Sequence, residues 1–576
     1  MKDFWGKIED VQFKIHDNHS RKKQTGTLNM NINVLDFFSA ETNAFNLSVI
    51  CIAILSGCCD GLLIFIINHA ANILFMDASA EIVMIVIYVL LCIAFYVTQR
   101  YTIVRTIKIS TQIIGQKRLR LLDKIRKTEL RFIEKKGPSS IHIRITQDFK
   151  TISQSVPVLI ASLSDLMTVV VIYTYIALIS SKAFIVVILF MSGSIIYFYY
   201  FYDHIKKEIR QSRVKESSFF DLLNDVLKGF KQIKIHSKKS RDLLKDIDLV
   251  SKESEAYKVK GLLAYRQLTM NIALNQFIMY AALLFVMPIY FEELRFSILK
   301  IFAAILFASG PLDMFFRSFA TVALTKTSIE NLVQLDKELD QTPEQKIYPD
   351  IIPKDFKKIS LQAVTFEYKD NQGDTVFYLG PVDLEICKGQ IVFIVGGNGS
   401  GKSTLLKLIT GLYPPLHPGK IQLDNETIDL HTYAQYRNLF SIIFTDYYLF
   451  KKLYGLENVD KKKVNELLKM MHLSSKTKYK DNQFSNTNLS TGQRKRIACI
   501  EALLEDKPIY IFDEWTADQD PEFRKFLYDT VLIDLKNAGK TIIVVTHDDR
   551  YFDRADQLIT LEEGKIQKVV YENKTD

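Results

Sequence analysis

Six apolar runs dominate the first half of the chain. They are NLSVICIAILSGCCDGLLIFIINHA (46–70), EIVMIVIYVLLCIAFYV (81–97), VPVLIASLSDLMTVVVIYTYIALI (156–179), AFIVVILFMSGSIIYFYYFY (183–202), LTMNIALNQFIMYAALLFVMPIYF (268–291) and FSILKIFAAILFASGPLDMFF (296–316). Most reach or approach the roughly 20 residues that a helix needs to cross about 30 Å of hydrocarbon. Six such runs with so few charges do not fit the buried helices of a large soluble protein. They predict six transmembrane helices.

The connections between them differ in kind. The stretches at 98–155 and 204–267 are long and charged, yet apolar residues recur in them at spacings of three and four, as in IKISTQIIGQKRLRLLDKI (107–125). That period is helical, so helices 2 to 5 are predicted to run well past the bilayer. Ahead of the first run, NVLDFFSAETNAF (33–45) fits a helix lying in the membrane interface. The step Ser309–Gly310–Pro311 predicts a kink in helix 6 and a hinge position. Three prolines in LDQTPEQKIYPDIIPKDFKK (339–358) end the helical pattern. Beyond them, short β-branched runs such as QIVFIVG (390–396), PIYIFDE (508–514) and TIIVVTHDD (541–549) read as strands among helical stretches.

Composition changes the picture through the location of its charge. Lys plus Arg number 74 against 65 Asp plus Glu, a formal net charge of +9. Nucleic acid, anionic lipid and nucleotide are all compatible with such a surplus. Much of it lies in the two long connections, in stretches such as KRLRLLDKIRK (117–127) and HSKKSR (236–241), while the connections near 71–80, 180–182 and 292–295 hold few basic residues. Basic loops stay in the cytoplasm. Both long connections and both termini are therefore expected inside, in a multi-pass protein of the cytoplasmic membrane, and no nucleic acid is needed to explain the charge. The six cysteines lack metal-ligand spacing and sit mostly in apolar runs, so neither a disulfide framework nor a metal site is expected from them. The first 30 residues lack the short apolar core of a secretory signal.

The chemistry lies in the second half. Between the strand QIVFIVG and the helical STLLKLITGL (403–412) stands GGNGSGKST (396–404), which fits Gly-x-x-x-x-Gly-Lys-Ser. This is the phosphate-binding loop. The backbone of Gly396, Asn398, Gly399, Ser400 and Gly401, with the helix N-terminus at Lys402, Ser403 and Thr404, attracts an anion. Lys402 is expected to reach the β- and γ-phosphates, and the Ser403 hydroxyl to ligate Mg2+. At the end of PIYIFDE, Asp513 is expected to hold the same Mg2+ through water, and Glu514 to act on the attacking water as general base or as its orienter. His547 ends a further strand. ATP and Mg2+ are the expected ligands.

At LSTGQRKR (489–496) the pattern becomes specific. It resembles the signature sequence of ATP-binding cassette (ABC) transporters. Order and spacing agree: the phosphate loop at 396–404 (Walker A), the signature Leu489, Ser490, Thr491, Gly492 and Gln493, the acidic strand at 509–514 (Walker B), a D-loop at Ala517–Asp520, and His547. Six membrane helices ahead of one such domain resemble a half-transporter of the exporter type, from about residue 31 onward. The resemblance implies an all-α six-helix transmembrane domain followed by an α/β P-loop NTPase domain. Its parts are a polar extension (1–30), the transmembrane domain with its cytoplasmic extensions (31–338), a linker (339–358) and the cassette (359–576). It also implies a homodimer, in which Ser490 and Gly492 of one chain face the γ-phosphate held by the other. Longer stretches narrow the branch. FDEWTADQDPEFRKFLY (512–528) and GKTIIVVTHDDRYFDRAD (539–556) resemble exporters of cyclic peptides and peptide siderophores. LKGFKQIKIHSKKSR (227–241) and IHIRITQDFKTISQSV (141–156) look like the cytoplasmic extensions of that branch. The implied activity is ATP-driven export of a cyclic or modified peptide by alternating access.

The sequence also departs from the wider family. Trp515 stands where Pro usually follows the acidic strand, and Thr491 stands for the first signature Gly. In FSIIFTDYYLF (440–450), Thr445 occupies the position of the Q-loop Gln, with Asp446 beside it to share the role. The adenine-stacking aromatic is Tyr368 in VTFEYKD, or Phe366 if the register slips by two. Within the spans lie Asp60, Asp165, Asp313, Asn271, Asn275 and Gln276. Such residues are costly in hydrocarbon and face protein or water; they either join helices or line a cavity for peptide-like cargo. Two other functions fit the same architecture, a flippase for lipid or lipid-linked molecules and a membrane signalling ATPase that moves nothing. A soluble ABC protein is excluded by the six spans.

Overall fold

The structure, a computed structural model, describes residues 47–74, 82–342 and 356–571, apart from 296, 371, 430 and 458. The polar extension, the interfacial segment at 33–45 and much of the linker lie outside these residues. The chain forms two compact units. One comprises the residues up to Arg120 together with Ile141–Leu335, the other Leu121–Ser140 together with the chain from Asp336 onward. The segment 121–140, read from sequence within the membrane domain's cytoplasmic extensions, packs with the second unit.

Helices account for the first unit. In chain order, α1 is Leu47–Leu74, α2 Ile82–Lys127, α3 (in the second unit) Leu130–Lys136, α4 Phe149–Ile179, α5 Ser181–Lys228, α6 Ser237–Ala281 and α7 Ile298–Asp340. Six helical stretches among the described residues are long and apolar enough to cross a membrane. With 46, 48 and 45 residues, α2, α5 and α6 each span roughly 70 Å at about 1.5 Å per residue, over twice a hydrocarbon core. The period-three and period-four pattern in the charged connections therefore marks real extensions of these helices. Helix α7 runs through Pro311 as one helix.

The bundle core includes Ile64, Val169, Ile172, Leu268, Ile301 and Ile305. Meanwhile Ile82, Val83, Ile85 and Leu90 on α2 are largely exposed, a surface that suits lipid rather than water. Helices α1 and α4 approach closely at Gly57, where an added Cβ would lie 2.2 Å from the Ser164 carbonyl oxygen.

The second unit carries the strands. β1 (Lys358–Lys369), β2 (Thr375–Cys387), β4 (Lys420–Leu423) and β5 (Glu426–Thr427) form an antiparallel sheet in the order β2-β1-β4-β5. The main sheet runs β12-β11-β3-β10-β9-β6, from β3 (Ile391–Gly396), β6 (Phe440–Ile443), β9 (Ile509–Asp513), β10 (Thr541–Val545), β11 (Gln557–Glu562) and β12 (Lys565–Tyr571). Its strands pair in parallel except at the β12 edge. A small hairpin joins β7 (Tyr479–Lys480) to β8 (Gln483–Phe484). β9 and β10 are buried along their whole length. Covered on both faces, such strands read as unbroken apolar runs rather than as alternation.

Candidate nucleotide site

In an open parallel sheet, ligands bind beyond the carboxyl ends of the strands. Here three of the expected motifs meet at those ends. β3 ends at Gly396, β9 ends at Asp513, and His547 follows β10 by two residues. A cavity of about 310 Å³ is lined by Tyr368, Phe377, Asn398 to Thr404, and Glu514.

The loop folds this way because its glycines permit it. Gly401 has φ 102° and caps α8 (Lys402–Ile409), and a Cβ there would come within 3.0 Å of the Phe377 ring. The buried Lys402 ammonium lies 2.9 Å from the Gly396 carbonyl oxygen and 3.0 Å from that of Gly397, and 4.0 Å from Glu514 Oε1. His547 Nε2 lies 3.4 Å from the same Glu514 oxygen. Ser403 donates to Asp513 Oδ2 at 3.3 Å. Asp513 is 2% exposed, and its Oδ1 is buried without a hydrogen-bond partner. Burial pushes its carboxyl above the usual carboxylate range, partly offset by the nearby polar groups of Thr445 and Ser403. A buried carboxylate oxygen with an unused lone pair, beside a serine hydroxyl, suits a hard cation such as Mg2+. Thr445 donates to the Asp513 carbonyl at 3.3 Å, while Asp446 next to it is exposed.

The aromatic side of the cleft separates the two candidates. Phe366 is 1% exposed and stacks on Tyr413 with centroids 4.6 Å apart, whereas Tyr368 lines the cavity. Phe377 lines it too, and sequence reading did not single it out. Its signal was topological: β1 and β2 pair Tyr368 with Phe377.

Behind Tyr368 lies a polar chain that the motifs also miss. The Tyr368 hydroxyl donates to that of Tyr413 at 3.1 Å, and Tyr413 donates to Glu134 on α3. Lys407 of α8 pairs with the same carboxylate at 2.9 Å, and Arg131 lies over the Phe366 ring.

The signature residues do not line this cavity. They open α9 (Thr491–Glu505), where Ser490 and Gln493 form a reciprocal capping box. Ser490 and Thr491 are exposed, Gly492 and Gln493 are half-buried, and Leu489 packs on the core. A Cβ on Gly492 would lie 2.5 Å from the Asp518 carbonyl oxygen, so the D-loop rests directly on the signature. Asp520 caps the next helix through the Phe523 N–H at 2.8 Å and pairs with Arg496 at 2.7 Å. These bonds hold its carboxyl below the usual range, the Phe523 N–H foremost.

In the membrane unit, Thr168 donates to Asp60 at 3.2 Å between α1 and α4. Asn271 donates to Tyr197, and Asn275 to Ser194 at 2.7 Å, joining α6 to α5. Asp313 pairs with Arg317 one turn on at 2.8 Å. Asp165 lies on α4, half-buried. The two asparagines are thus engaged in joining helices.

A phosphate-binding loop, a strand-end carboxylate pair and a separate signature, following six spans, define an ATPase that works across a membrane. The chain belongs to the ABC transporters. Residues 47–332 match the ABC transporter transmembrane region and residues 379–517 match ABC transporter. It is 31% identical over 475 residues to the ATP-binding protein SyrD of Pseudomonas syringae pv. syringae, covering 79% of this chain and 83% of that one. The ATP-dependent lipid A-core flippase of Escherichia coli K12 is 29% identical over 241 residues, 40% of each chain. A bacterial Atm1-family ABC exporter with ATP bound shares the fold, with TM-score 0.74, 16% identity, and 92% and 96% of the two chains covered. The protein is thus an ABC ATPase coupled to transport, with membrane and ATPase domains on one chain.

Proposed function

We propose that two copies of this chain export a cyclic or modified peptide, using ATP enclosed between their cassettes. The observation that supports the cargo is the peptide-exporter wording of 512–528 and 539–556, in a chain similar to SyrD along most of its length. Tyr368 and Phe377 are placed to take the base, and the loop 396–404 the phosphates. Lys402 neutralises phosphate charge. Ser403 and Asp513 would hold Mg2+, which supplies charge neutralisation at the phosphates when bound. Glu514 accepts the proton of the attacking water, and His547, beside its carboxylate, keeps that carboxylate aimed. Phosphoryl transfer needs positioned charge more than covalent chemistry. Ser490 and Gly492 of the second copy close each site, with the cassettes in the cytoplasm. ATP binding favours the closed pair, and its loss an inward-facing bundle, to the extent that ATP binds one state better.

Within the bundle, Asp60 and Asp165 are the candidates for contact with cargo. The test is flux of a labelled cyclic peptide into inside-out vesicles, compared with a Glu514→Gln variant, and ATPase stimulation in nanodiscs by peptide against lipid A. Peptide-dependent, ATP-dependent uptake is expected. Stimulation by lipid alone would favour a flippase, and turnover without flux of either would favour a signalling ATPase.

A further inference from the structure

We infer that Lys495 is a positioning residue for hydrolysis: it fastens the backbone of Glu514 to the signature helix. The inference rests on the reading of Glu514 as the group that acts on water. Glu514 has φ 47°, a left-handed conformation that a residue with a Cβ keeps only when its surroundings over-determine it. On one side its N–H donates to the Val545 carbonyl at 3.1 Å, which ties it to β10. On the other, its carbonyl accepts from the Lys495 ammonium at 3.0 Å and from the Ala517 N–H at 3.4 Å. The shorter of the two bonds carries a full charge, and charge-assisted bonds are the stronger class.

That ammonium is deeply placed. The Lys495 side chain is 3% exposed and pairs with Asp518 of the D-loop at 2.7 Å. A buried charge persists only where it is paired and hydrogen-bonded, and here the Glu514 carbonyl is one of its two named partners. The lysine is also held from behind. The Trp515 indole N–H donates to the Lys495 carbonyl at 3.2 Å. Trp515 is 2% exposed and stacks on Phe512 with centroids 4.9 Å apart. A proline at 515 would offer no such donor. Lys495 therefore grips the turn after β9 at both its ends, side chain to Glu514 and backbone to Trp515.

Its helix opens with the signature, and Gln519 donates to the Gly492 carbonyl at 3.0 Å. A displacement of α9, such as engagement of Ser490 and Gly492 by the second copy's nucleotide, is passed to Glu514 of the same chain through one bond.

The test uses full-length protein in nanodiscs, with steady-state ATPase, ATP affinity and thermal unfolding measured for each variant. Lys495→Met removes both polar contacts at similar length. Its kcat is expected to fall about tenfold or more, with KM for ATP within about threefold, because the phosphate loop is untouched. Lys495→Gln keeps a donor for the carbonyl and is expected to recover most of the rate. If Lys495→Met does not fold, Trp515→Phe, which keeps the stacking and loses the indole donor, must lower kcat at unchanged KM. A folded Lys495→Met at wild-type kcat overturns the proposal, as does a parallel loss in kcat and ATP affinity. So does Trp515→Phe at wild-type kcat where Lys495→Met is unfolded. Glu514→Gln, measured alongside, separates the two readings. If it is inactive while Lys495→Met is not, only the role of Lys495 fails. If it turns over normally, the role of Glu514 fails and that of Lys495 with it.

Discussion

Truncating Tyr368 to Ala tests whether the aromatic side of the cleft holds a base. The ring lines the cavity with Asn398 to Thr404, and its hydroxyl is anchored to Tyr413 at 3.1 Å, so it is already ordered before a nucleotide arrives. Stacking of a base on an aromatic ring is worth about 1–3 kcal/mol. Phe377 stays in the cleft after the substitution and faces Tyr368 across the β1–β2 ladder, which places the loss in the lower part of that range. About 1–2 kcal/mol corresponds to roughly 5- to 30-fold in Kd.

The assay is equilibrium binding of ATP to the full-length protein, with inorganic tripolyphosphate as a ligand that has phosphates and no base. ATP affinity should fall by the stated factor while that of tripolyphosphate moves less than about twofold, since the loop and Lys402 are unchanged. Tyr368→Phe keeps the face and should stay within about threefold of wild type. Unchanged ATP affinity in Tyr368→Ala, or equal loss for both ligands, would refute the placement of the base.

Glu514→Gln should lower phosphate release by about 10²- to 10⁴-fold, the usual contribution of a general base, while ATP still binds; near-normal release would move the base elsewhere. Glu134→Ala strips the buried Tyr413 hydroxyl of the carboxylate it donates to and should cost about 1–3 kcal/mol, read as a lower unfolding midpoint that Glu134→Gln largely restores. Burial, with the charge of Glu505 adding to it, pushes the Glu501 carboxyl up to about 7. Its folded value then exceeds its unfolded one of about 4.3, so the folded cassette retains a proton that the unfolded chain has lost, and stability falls as pH rises from about 4.5 to 7. Glu501→Gln should therefore raise the unfolding midpoint at pH 8 and leave it unchanged near pH 4; an equal shift at both would assign the effect to packing.

Much of this was legible in the sequence because the relevant signals are local. A membrane helix announces itself by length and apolarity, and the phosphate loop by the spacing of Gly396, Gly401 and Lys402. The long extensions of α2, α5 and α6 were legible because helical period survives a change from apolar to charged surroundings. What escaped depends on distant parts of the chain. Phe377 enters the cleft only because β2 pairs with β1. Glu134 reaches Tyr413 from a sequence separation of 279 residues, and no period or motif encodes that meeting. Lys495 sat inside the quoted LSTGQRKR, but a lysine on a helix usually reads as solvated surface, and nothing local says that this one is buried.

The departures from the family pattern fall together in space. The indole of Trp515, in place of a proline, holds the backbone of Lys495. The position of the first signature glycine is filled by Thr491, which is exposed, whereas the second, Gly492, has the Asp518 carbonyl where a Cβ would go. So the position that tolerates a side chain has one, and the position pressed against the D-loop does not. Thr445, in place of a glutamine, is shorter and bonds the Asp513 carbonyl, the residue before Glu514. Thr445 thus acts on the backbone of Asp513, Trp515 acts on that of Lys495, and Thr491 lies on the helix that carries Lys495. The signature lies away from the cleft of its own chain. What the substitutions retain is the link from the exposed signature, through Lys495 on its helix, to the backbone of Glu514.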